Sequence, residues 1–266
     1  CNFSNIVLQT NHNFYKQFVS NDFMGHTLVI GGTKGIGKAF VSTITDHQVS
    51  VVARKSLENS ACNVTYFTAD ITDNKSVEET ILEIVKKNGK ITGLVFFQRY
   101  RGSGDSLQGG LDTSITATKN IIEACKDHFD KQGSIVLVSS TCGYFIAEGQ
   151  SLGYHLEKAA MNMIARFYAH QLGRKGLRVN SISLSAILKD ENREFYTNNK
   201  EIMDLYKKIT PVGRMGNTED VSHVVHFLLS DKSSFINGQN IDVDGGASLE
   251  GQESLARELL KMFKKS

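Results

Sequence analysis

Short apolar runs alternate with longer stretches of mixed polarity along most of the chain. The runs are rich in β-branched residues and contain few polar ones, which is typical of strands buried on both faces of a parallel sheet. Such strands are predicted at 27–31, 49–53, 64–68, 91–97, 134–139, 177–184 and 239–243. Helical patterns are predicted between them, at about 36–46, 73–88, 111–130, 152–175, 190–208 and 218–230.

This alternation of strands and helices predicts an α/β fold. Right-handed crossovers between parallel strands place helices on both faces of the sheet. Residues 25–247 are therefore predicted to form one doubly wound, Rossmann-type three-layer sandwich with a seven-stranded parallel sheet. Residues 1–24, polar with interspersed aromatic side chains, are predicted to be an N-terminal extension, and residues 248–266 a C-terminal helical tail.

Composition and charge narrow the class of protein. The 266 residues are 40% hydrophobic and 22% charged, as in a soluble globular protein, and the length suits one α/β domain. The net charge of +2 gives no general attraction to nucleic acid or to a membrane surface. We therefore expect no nucleic-acid partner.

Cysteine usage and hydropathy bear on the compartment. The four cysteines (Cys1, Cys62, Cys125 and Cys142) form no CxxC pair, so we expect reduced thiols and no metal site. No run of 18 apolar residues occurs, so no membrane span is expected. The first residues lack the pattern of a signal peptide. A cytoplasmic location is therefore predicted.

A glycine-rich segment, IGGTKGIGKAF at residues 30–40, follows the first predicted strand. Gly31, Gly35 and Gly37 allow a tight turn and a close approach of the backbone to a pyrophosphate. The helix that begins here offers free N–H groups and the positive end of its dipole. Glycine-rich turns are common, but the position after the first strand of a βαβ unit predicts a dinucleotide site.

The charges near this site indicate which dinucleotide binds. NAD sites usually carry an acid at the end of the second strand, where this chain has Ala53, Arg54 and Lys55. Lys34 lies within the glycine loop. These cations suit a ribose 2′-phosphate, and a charge-assisted hydrogen bond contributes roughly 1.5–3 kcal/mol, so NADP(H) is predicted. The alternative is that Arg54 and Lys55 are solvated surface charges.

Asp70 follows the third predicted strand and has two possible roles. Its carboxylate could accept a hydrogen bond from the adenine amino group of the dinucleotide. Alternatively, it could cap the helix that follows it along the chain.

A candidate reaction centre lies in VSSTCGYFIAEGQSLGYHLEKAAM, residues 138–161. Tyr154 and Lys158 are four residues apart and thus share one face of a helix. An ammonium beside a phenol favours the phenolate, so we expect the pKa of Tyr154 to be lowered, making it a general acid or base. Ser140, at the end of a strand, can donate a hydrogen bond to a carbonyl oxygen.

Together these motifs resemble the short-chain dehydrogenase/reductase family over about residues 25–247. IGGTKGIG resembles the family's TGxxxGxG, with Ile30 where Thr is usual, and YHLEK matches its YxxxK. SSTCG matches the serine segment, and residues 210–246 resemble the family's closing segment. The resemblance implies a dimeric or tetrameric enzyme that moves a hydride between a nicotinamide and a carbonyl or alcohol carbon.

The resemblance also implies roles for individual residues. Tyr154 would exchange the proton, Lys158 would also hold the nicotinamide ribose, and Ser140 would orient the substrate oxygen. Ser114 aligns best with the family's proton-relay Asn, although another alignment places Gly110 there. The implied cofactor-binding residues are Gly31, Thr33, Lys34, Gly35, Ile36, Gly37, Arg54, Asp70, Ile71, Tyr154, Lys158 and Ile187.

The chain departs from the family around the expected nicotinamide and substrate. Phe96, Phe97, Gln98 and Arg99 replace the usual Asn-Asn-Ala-Gly after the fourth strand. After the sixth strand the family's Pro-Gly becomes Leu184-Ser185, and a Thr that often follows becomes Lys189. We therefore expect either an active enzyme or a catalytically weak nucleotide sensor or scaffold on the same fold.

The segment LVFFQRYRG, residues 94–102, brings two arginines to the end of a buried strand, where ligands bind in such sheets. Arg99 and Arg101 could clamp an anionic substrate group. Alternatively, Arg99 could pair with Asp105 or Asp112, or an arginine could bind the phosphates of the cofactor. Lys189 is a further candidate contact to the substrate.

The sequence therefore predicts an NADP(H)-dependent oxidoreductase that acts on a small carbonyl or secondary alcohol, as a homodimer or homotetramer; the substrate would be anionic if Arg99 and Arg101 clamp it. An enoyl reductase is a less favoured alternative, because that branch of the family tends to space its Tyr and Lys more widely than YxxxK.

Overall fold

Seven parallel strands form the central sheet of the computed structural model, which describes residues 25–57 and 61–263. The described residues form nine strands, seven in this sheet and two outside it: β1 (His26–Ile30), β2 (Gln48–Ala53), β3 (Val64–Thr68), β4 (Ile91–Phe96), β5 (Phe129–Ser140), β6 (Leu177–Leu184), β7 (Ile187–Leu188), β8 (Gly216–Asn217) and β9 (Asn240–Val243). The sheet order is β3-β2-β1-β4-β5-β6-β9, and β7 pairs separately with β8. The predicted seven-stranded parallel sheet is therefore confirmed.

Helices cover both faces of this sheet. They are α1 (Gly35–Thr43), α2 (Asn74–Asn88), α3 (Ser106–Gly110), α4 (Ala117–Cys125), α5 (Leu152–Gly173), α6 (Asp190–Asn198), α7 (Lys200–Ile209), α8 (Thr218–Leu229) and α9 (Gln252–Phe263). One buried cluster joins the sheet to α2, α4 and α5, and a second joins its other face to α1 and α8. The predicted three-layer, doubly wound architecture is thus present.

Local sequence explains where several helices begin and end. Asp73 caps α2 by accepting hydrogen bonds from the next backbone N–H groups, and Gly89 ends the helix at φ 83°. Asn217 and Asp220 form a reciprocal capping box at the start of α8. Ser151 caps α5 by accepting from the N–H of Tyr154. The cap at Ser151 fixes the start of α5, the helix that carries the candidate reaction centre.

Two predicted helices differ from the structure. The helix predicted at 111–130 begins as a π-helical turn, Leu111–Thr116, which follows α3 directly, continues as α4 and ends at Cys125. The helix predicted at 190–208 is divided at Asn199, which has φ −113° and ψ 78°. Neither α6 nor α7 contains a buried residue, so its polarity pattern gives no sign of the break.

The chain ends lie partly outside this description. Residues 1–24, including Cys1 and the aromatic residues of the predicted extension, fall outside the described residues. Helix α9 occupies most of the predicted helical tail. The division at residues 24 and 247 stays a prediction. Among residues 25–57 and 61–263, no helix is both long enough and apolar enough to cross a bilayer.

A buried histidine connects the amino-terminal ends of β1 and β2. The ring of His26 contacts Ser50 Oγ at 2.7 Å and the carbonyl oxygen of Gly89 at 3.0 Å. Burial lowers the pKa of His26 below its ordinary value. Burial likewise lowers the pKa of His226, whose ring contacts Thr43 Oγ1 at 2.8 Å. The folded protein therefore favours the neutral form of both imidazoles.

We expect the protein to lose stability as the pH falls below about 6.5, the ordinary histidine value. Below that pH the unfolded chain binds protons that the folded chain does not, so the free energy of unfolding decreases. Each of the two imidazoles contributes at most about 1.4 kcal/mol per pH unit in this range. Urea unfolding at pH 7.5 and 5.5 measures the loss.

The variant His26→Gln should show a smaller loss between these two pH values than the wild type. His170→Gln, at an exposed position on α5, is the matched control and should behave as the wild type. A loss of the same size in the wild type and in His26→Gln would contradict the assignment to His26.

Candidate active site

The turn between β1 and α1 packs so closely that it requires glycine. Gly31 has φ 85°, and a Cβ atom there would lie 2.9 Å from the backbone nitrogen of Gln98. A Cβ atom on Gly37 would collide with the backbone oxygen of Gly31. Lys34, at the N-cap of α1, makes no capping hydrogen bond with its side chain. The helix therefore presents uncapped N–H groups, and this cradle fits the phosphates of a dinucleotide.

Exposed cations flank this turn. Lys34 and Arg54 are both exposed, and the described residues that follow β2, 54–57, include no carboxylate. Hydrogen bonds from the backbone and hydroxyl of Thr72 lower the pKa of Asp70, with a further contribution from the charge of Arg54. Arg54, which follows β2, therefore lies near the carboxylate of Asp70, in the segment that follows β3.

Asp70 does not cap the helix that follows it. Its Oδ1 accepts hydrogen bonds from the N–H and Oγ1 of Thr72 at 3.0 and 2.7 Å, which forms a local turn. Asp73 caps α2 instead. The helix-cap alternative for Asp70 is therefore wrong, because the turn at Thr72 takes up the carboxylate before the helix begins.

Ser140, Tyr154 and Lys158 meet at the carboxyl end of β5 and the first turns of α5. Ser140 Oγ donates to the carbonyl oxygen of Leu184 at 3.1 Å and also bonds with Tyr154. Lys158 Nζ donates to the carbonyl oxygen of Val138 at 3.2 Å and lies 5.6 Å from the centre of the Tyr154 ring. The structure therefore brings the three predicted catalytic side chains together.

The expected lowering of the Tyr154 pKa is wrong. Burial raises the pKa of Tyr154 above its ordinary value, and the hydrogen bond with Ser140 and the charge of Arg99 only partly oppose it. Burial also lowers the pKa of Lys158, whose ammonium contacts a backbone carbonyl rather than the phenol oxygen. Tyr154 is consequently held as a neutral phenol, the form that can donate a proton.

Ser114 lies beneath this group, in the π-helical turn that precedes α4. It is fully buried and donates from Oγ to Oε2 of Glu157 at 2.8 Å. A Cβ atom on Gly110, the residue of the alternative alignment, would lie 3.2 Å from the same oxygen. Both candidate positions therefore meet Glu157 rather than Lys158 directly.

Glu157 was not predicted as a site residue. It is 2% exposed, and its Oε1 lies 3.7 Å from Lys158 Nζ. The only signal in the sequence is an acid inside the YHLEK motif, next to the lysine, and an acid on a helix is usually solvated.

Arg99 lies over the ring of Tyr154, with Cζ 5.0 Å from the ring centre. The predicted alternative of a pair with Asp105 or Asp112 is wrong. Asp105 caps α3 through the N–H of Leu107, Asp112 accepts from Gln108, and within the described part of the chain neither pairs with Arg99.

Lys189 joins Arg99 and Arg101 in one group of cations. Burial lowers the pKa of Lys189, and the charges of Arg101 and Arg99 lower it further, whereas Glu191 opposes them. Lys189 and Glu191 also lie over the glycine loop: a Cβ atom on Gly35 would be 3.3 Å from Glu191 Oε1 and 3.6 Å from Lys189 Cδ. The start of α6 therefore borders both the loop and the cation group.

The remaining predicted cofactor residues lie around the same edge of the sheet. Thr33 is in the β1–α1 turn, and Ile36 is in the first turn of α1. Ile71 follows β3 and packs on the core, and Ile187 is buried in β7.

Gln98 takes the place of the family's Ala and is buried. Its Nε2 donates to Thr118 Oγ1 at 2.8 Å, and its Oε1 has no hydrogen-bond partner among the described residues. The same part of the chain contains no group of three or more His, Cys, Asp or Glu residues placed to hold a metal ion.

Comparison with known proteins identifies the family. Residues 31–248 match a family model described as enoyl-(acyl carrier protein) reductase. The chain is 27% identical over 239 residues to a 3-oxoacyl-(acyl-carrier-protein) reductase of Thermotoga maritima, covering 82% of this chain and 96% of that protein. It is 30% identical over 273 residues to a peroxisomal 2,4-dienoyl-CoA reductase of Danio rerio, covering 93% of this chain and 90% of that protein.

A solved structure agrees with these relatives. A short-chain dehydrogenase family protein of Francisella tularensis superposes with a TM-score of 0.75 at 28% identity, covering 86% of this chain and all of that one. The family assignment rests on four observations that agree. They are the sheet order, the glycine turn, the grouping of Ser140, Tyr154 and Lys158, and the family match over most of the chain. The chain therefore belongs to the short-chain dehydrogenase/reductase family of oxidoreductases, which transfer hydride with a pyridine nucleotide.

Proposed function

We propose that this protein is an NADP(H)-dependent oxidoreductase that interconverts a carbonyl compound and a secondary alcohol, with a preference for anionic substrates. The observation that carries the proposal is the meeting of Ser140, Tyr154 and Lys158 at the carboxyl end of the parallel sheet, the end from which the glycine turn also leaves β1. Bound NADPH supplies the hydride.

Ser140, Tyr154 and Lys158 orient the substrate and supply the proton. Ser140 Oγ orients the carbonyl oxygen by a hydrogen bond. Tyr154 donates the proton in reduction, because its raised pKa keeps the phenol protonated at neutral pH. Lys158, held by the carbonyl oxygen of Val138, places a positive charge beside the phenol as the proton leaves.

The choice of NADP(H) rests on Lys34, Arg54 and the lack of an acid at the end of β2. We expect Arg54→Ala to weaken NADPH binding by about 10- to 100-fold, since a charge-assisted hydrogen bond to the 2′-phosphate is lost. NADH binding should change little. Fluorescence titrations with NADPH and NADH measure both affinities.

Lys90→Ala provides the matched control, because Lys90 is an exposed cation just before β4. It lies at the amino-terminal end of the parallel strands, whereas Arg54 follows the carboxyl end of β2. It should leave both affinities unchanged. A wild type that prefers NADH would show that Lys34 and Arg54 are not phosphate ligands.

The preference for an anionic substrate rests on Arg99, which lies over the Tyr154 ring, and on Arg101 and Lys189, which belong to the same group of cations. We expect Arg101→Ala to raise KM for a carboxylate-bearing ketone by about 10-fold, because a charged hydrogen bond is lost, while KM for a neutral ketone stays constant. Steady-state kinetics with a matched pair of substrates tests this.

Arg166→Ala, at an exposed position on α5, controls for a general change of charge. If Arg101→Ala weakened NADPH binding and left both KM values alone, the cation would belong to the cofactor site.

Reduction of a conjugated C=C bond is the second candidate function. Similarity to a 2,4-dienoyl-CoA reductase and the description of the matching family favour it, whereas similarity to a 3-oxoacyl-(acyl-carrier-protein) reductase favours the carbonyl reaction. Parallel assays with a 3-oxoacyl and a 2-enoyl thioester discriminate between them.

A catalytically weak sensor or scaffold is the other alternative, and the replaced segment Phe96–Arg99 is the observation that favours it. In that case NADPH would bind without turnover on either substrate class.

We also propose a homodimer or homotetramer. Helix α5 exposes Leu152, Leu156, Met163 and Phe167, an apolar surface that a second subunit would cover. Light scattering measures the mass in solution. The cytoplasmic location and the lack of a nucleic-acid partner stay predictions.

A further inference from the structure

Glu157 is an acid buried within the reaction centre, one residue before Lys158. Its side chain is 3% exposed, and the residue as a whole is 2% exposed. Helix α3 buries it, because Ser106 packs so closely on Gly153 of α5 that a Cβ atom there would collide with it. Oε2 accepts the hydrogen bond from Ser114, whereas Oε1 has no hydrogen-bond partner among the described residues.

A buried carboxylate costs much free energy unless an opposite charge compensates it. Lys158 Nζ, 3.7 Å from Oε1, supplies that charge and is equally buried. The other titratable groups that face Lys158 are Tyr154 on α5, Arg99 after β4 and Cys142 after β5. In the part of the chain that the structure describes, Glu157 is thus the carboxylate that faces this ammonium, and Arg99 is a like charge.

We propose that Glu157 is a positioning residue of the reaction, and that its carboxylate, held by Ser114, keeps Lys158 charged and in place beside Tyr154. This inference rests on the proposed function. Under this proposal Glu157 acts directly on Lys158, and Ser114 acts on Lys158 through its hydrogen bond to Glu157.

The electrostatics agree with the geometry. Burial lowers the pKa of Lys158, and the charge of Glu157 is the largest opposing effect. The same charge adds to the raising of the Tyr154 pKa. Removing it therefore makes proton loss easier at both groups, so the two effects on a pH profile have the same sign.

The test is the pH profile of kcat/KM for carbonyl reduction in Glu157→Gln. The alkaline limb should move to lower pH by about one unit or more, because the neutral amide no longer stabilises the proton on Lys158 or Tyr154. Glu157→Asp keeps the negative charge, so its pH profile should lie closer to that of the wild type than the profile of Glu157→Gln does. Glu123→Gln, which removes a partly exposed carboxylate bonded to Lys126 and Tyr168, is the matched control and should keep the wild-type profile.

A second measurement needs no turnover. NMR titration of 13Cε-labelled lysine follows Lys158 itself, assigned by its disappearance in Lys158→Met, and it should titrate at lower pH in Glu157→Gln. Ser114→Ala keeps Glu157 but removes its hydrogen-bond donor, so it should lower the titration midpoint of Lys158 by less than Glu157→Gln does. This variant also provides a test if Glu157→Gln does not fold.

Unchanged titration of Lys158 in these variants would overturn the inference even if the wild type reduces carbonyl substrates. A wild type that fails to turn over any carbonyl would instead refute the proposed function. The NMR titration would still decide whether Glu157 sets the charge of Lys158.

Discussion

Replacing Tyr154 by Phe should reduce carbonyl reduction by about 10²–10⁴-fold, the usual contribution of a general acid. The phenol lies at the centre of the group formed by Ser140, Lys158 and Arg99, and its raised pKa keeps the proton available. Phe preserves the ring that packs under Arg99 but has no proton to give. Single-turnover kinetics with NADPH measures the rate of the chemical step.

NADPH affinity should remain within a few-fold of the wild type, because the glycine turn is untouched. Tyr168→Phe is the matched control: it removes a phenol from the same helix, where the hydroxyl donates to Glu123 far from Lys158. If Tyr154→Phe retained the wild-type rate, Tyr154 would not be the acid. If the wild type bound NADPH without turnover, the scaffold alternative would replace the enzyme.

Replacing Gly37 by Ala should disrupt both stability and dinucleotide binding. The added methyl group collides with the backbone oxygen of Gly31, and a backbone atom cannot move aside as a flexible side chain can. Overpacking of this kind typically costs about 1–3 kcal/mol. We expect a lower thermal unfolding temperature and loss of measurable NADPH binding, since α1 must shift away from β1.

Gly251→Ala is the control for this substitution, because no atom of the described residues lies within 4 Å of a Cβ atom at that position. It should leave stability and NADPH affinity nearly unchanged. Unaltered NADPH binding in Gly37→Ala would show that the close contact of α1 with Gly31 does not shape the dinucleotide site.

The sheet was predictable because its strands carry their signal locally. β1 and β4 are almost wholly buried, and such continuous apolar runs have few other interpretations. The π-helical turn and the two-residue strands β7 and β8 were not predictable. The turn occurs where Ser114 meets Glu157, and β7 pairs with β8 although residues 189–215 separate the two strands, so distant contacts set both.

The reaction centre was predicted in part, for a similar reason. Tyr154 and Lys158 are related by helical spacing, and Ser140 by its place at a strand end, both of which the sequence displays. The burial of Glu157 depends on how α3 packs against Gly153, which no local pattern reports. The predicted lowering of the Tyr154 pKa is wrong because burial, which the sequence does not reveal, outweighs the neighbouring charges.

Helix α6 links the two ligands of the proposed reaction. It contains no buried residue, so moving it costs little packing energy. It begins with Glu191 beside Gly35 and Lys189 beside the arginines, and a phosphate at the start of α1 repels the first of these charges. A dinucleotide that displaces Glu191 therefore also repositions Lys189. The two binding equilibria are then coupled by one free energy, equal in both directions, so the substrate changes the affinity for the dinucleotide by the same factor as the dinucleotide changes the affinity for the substrate.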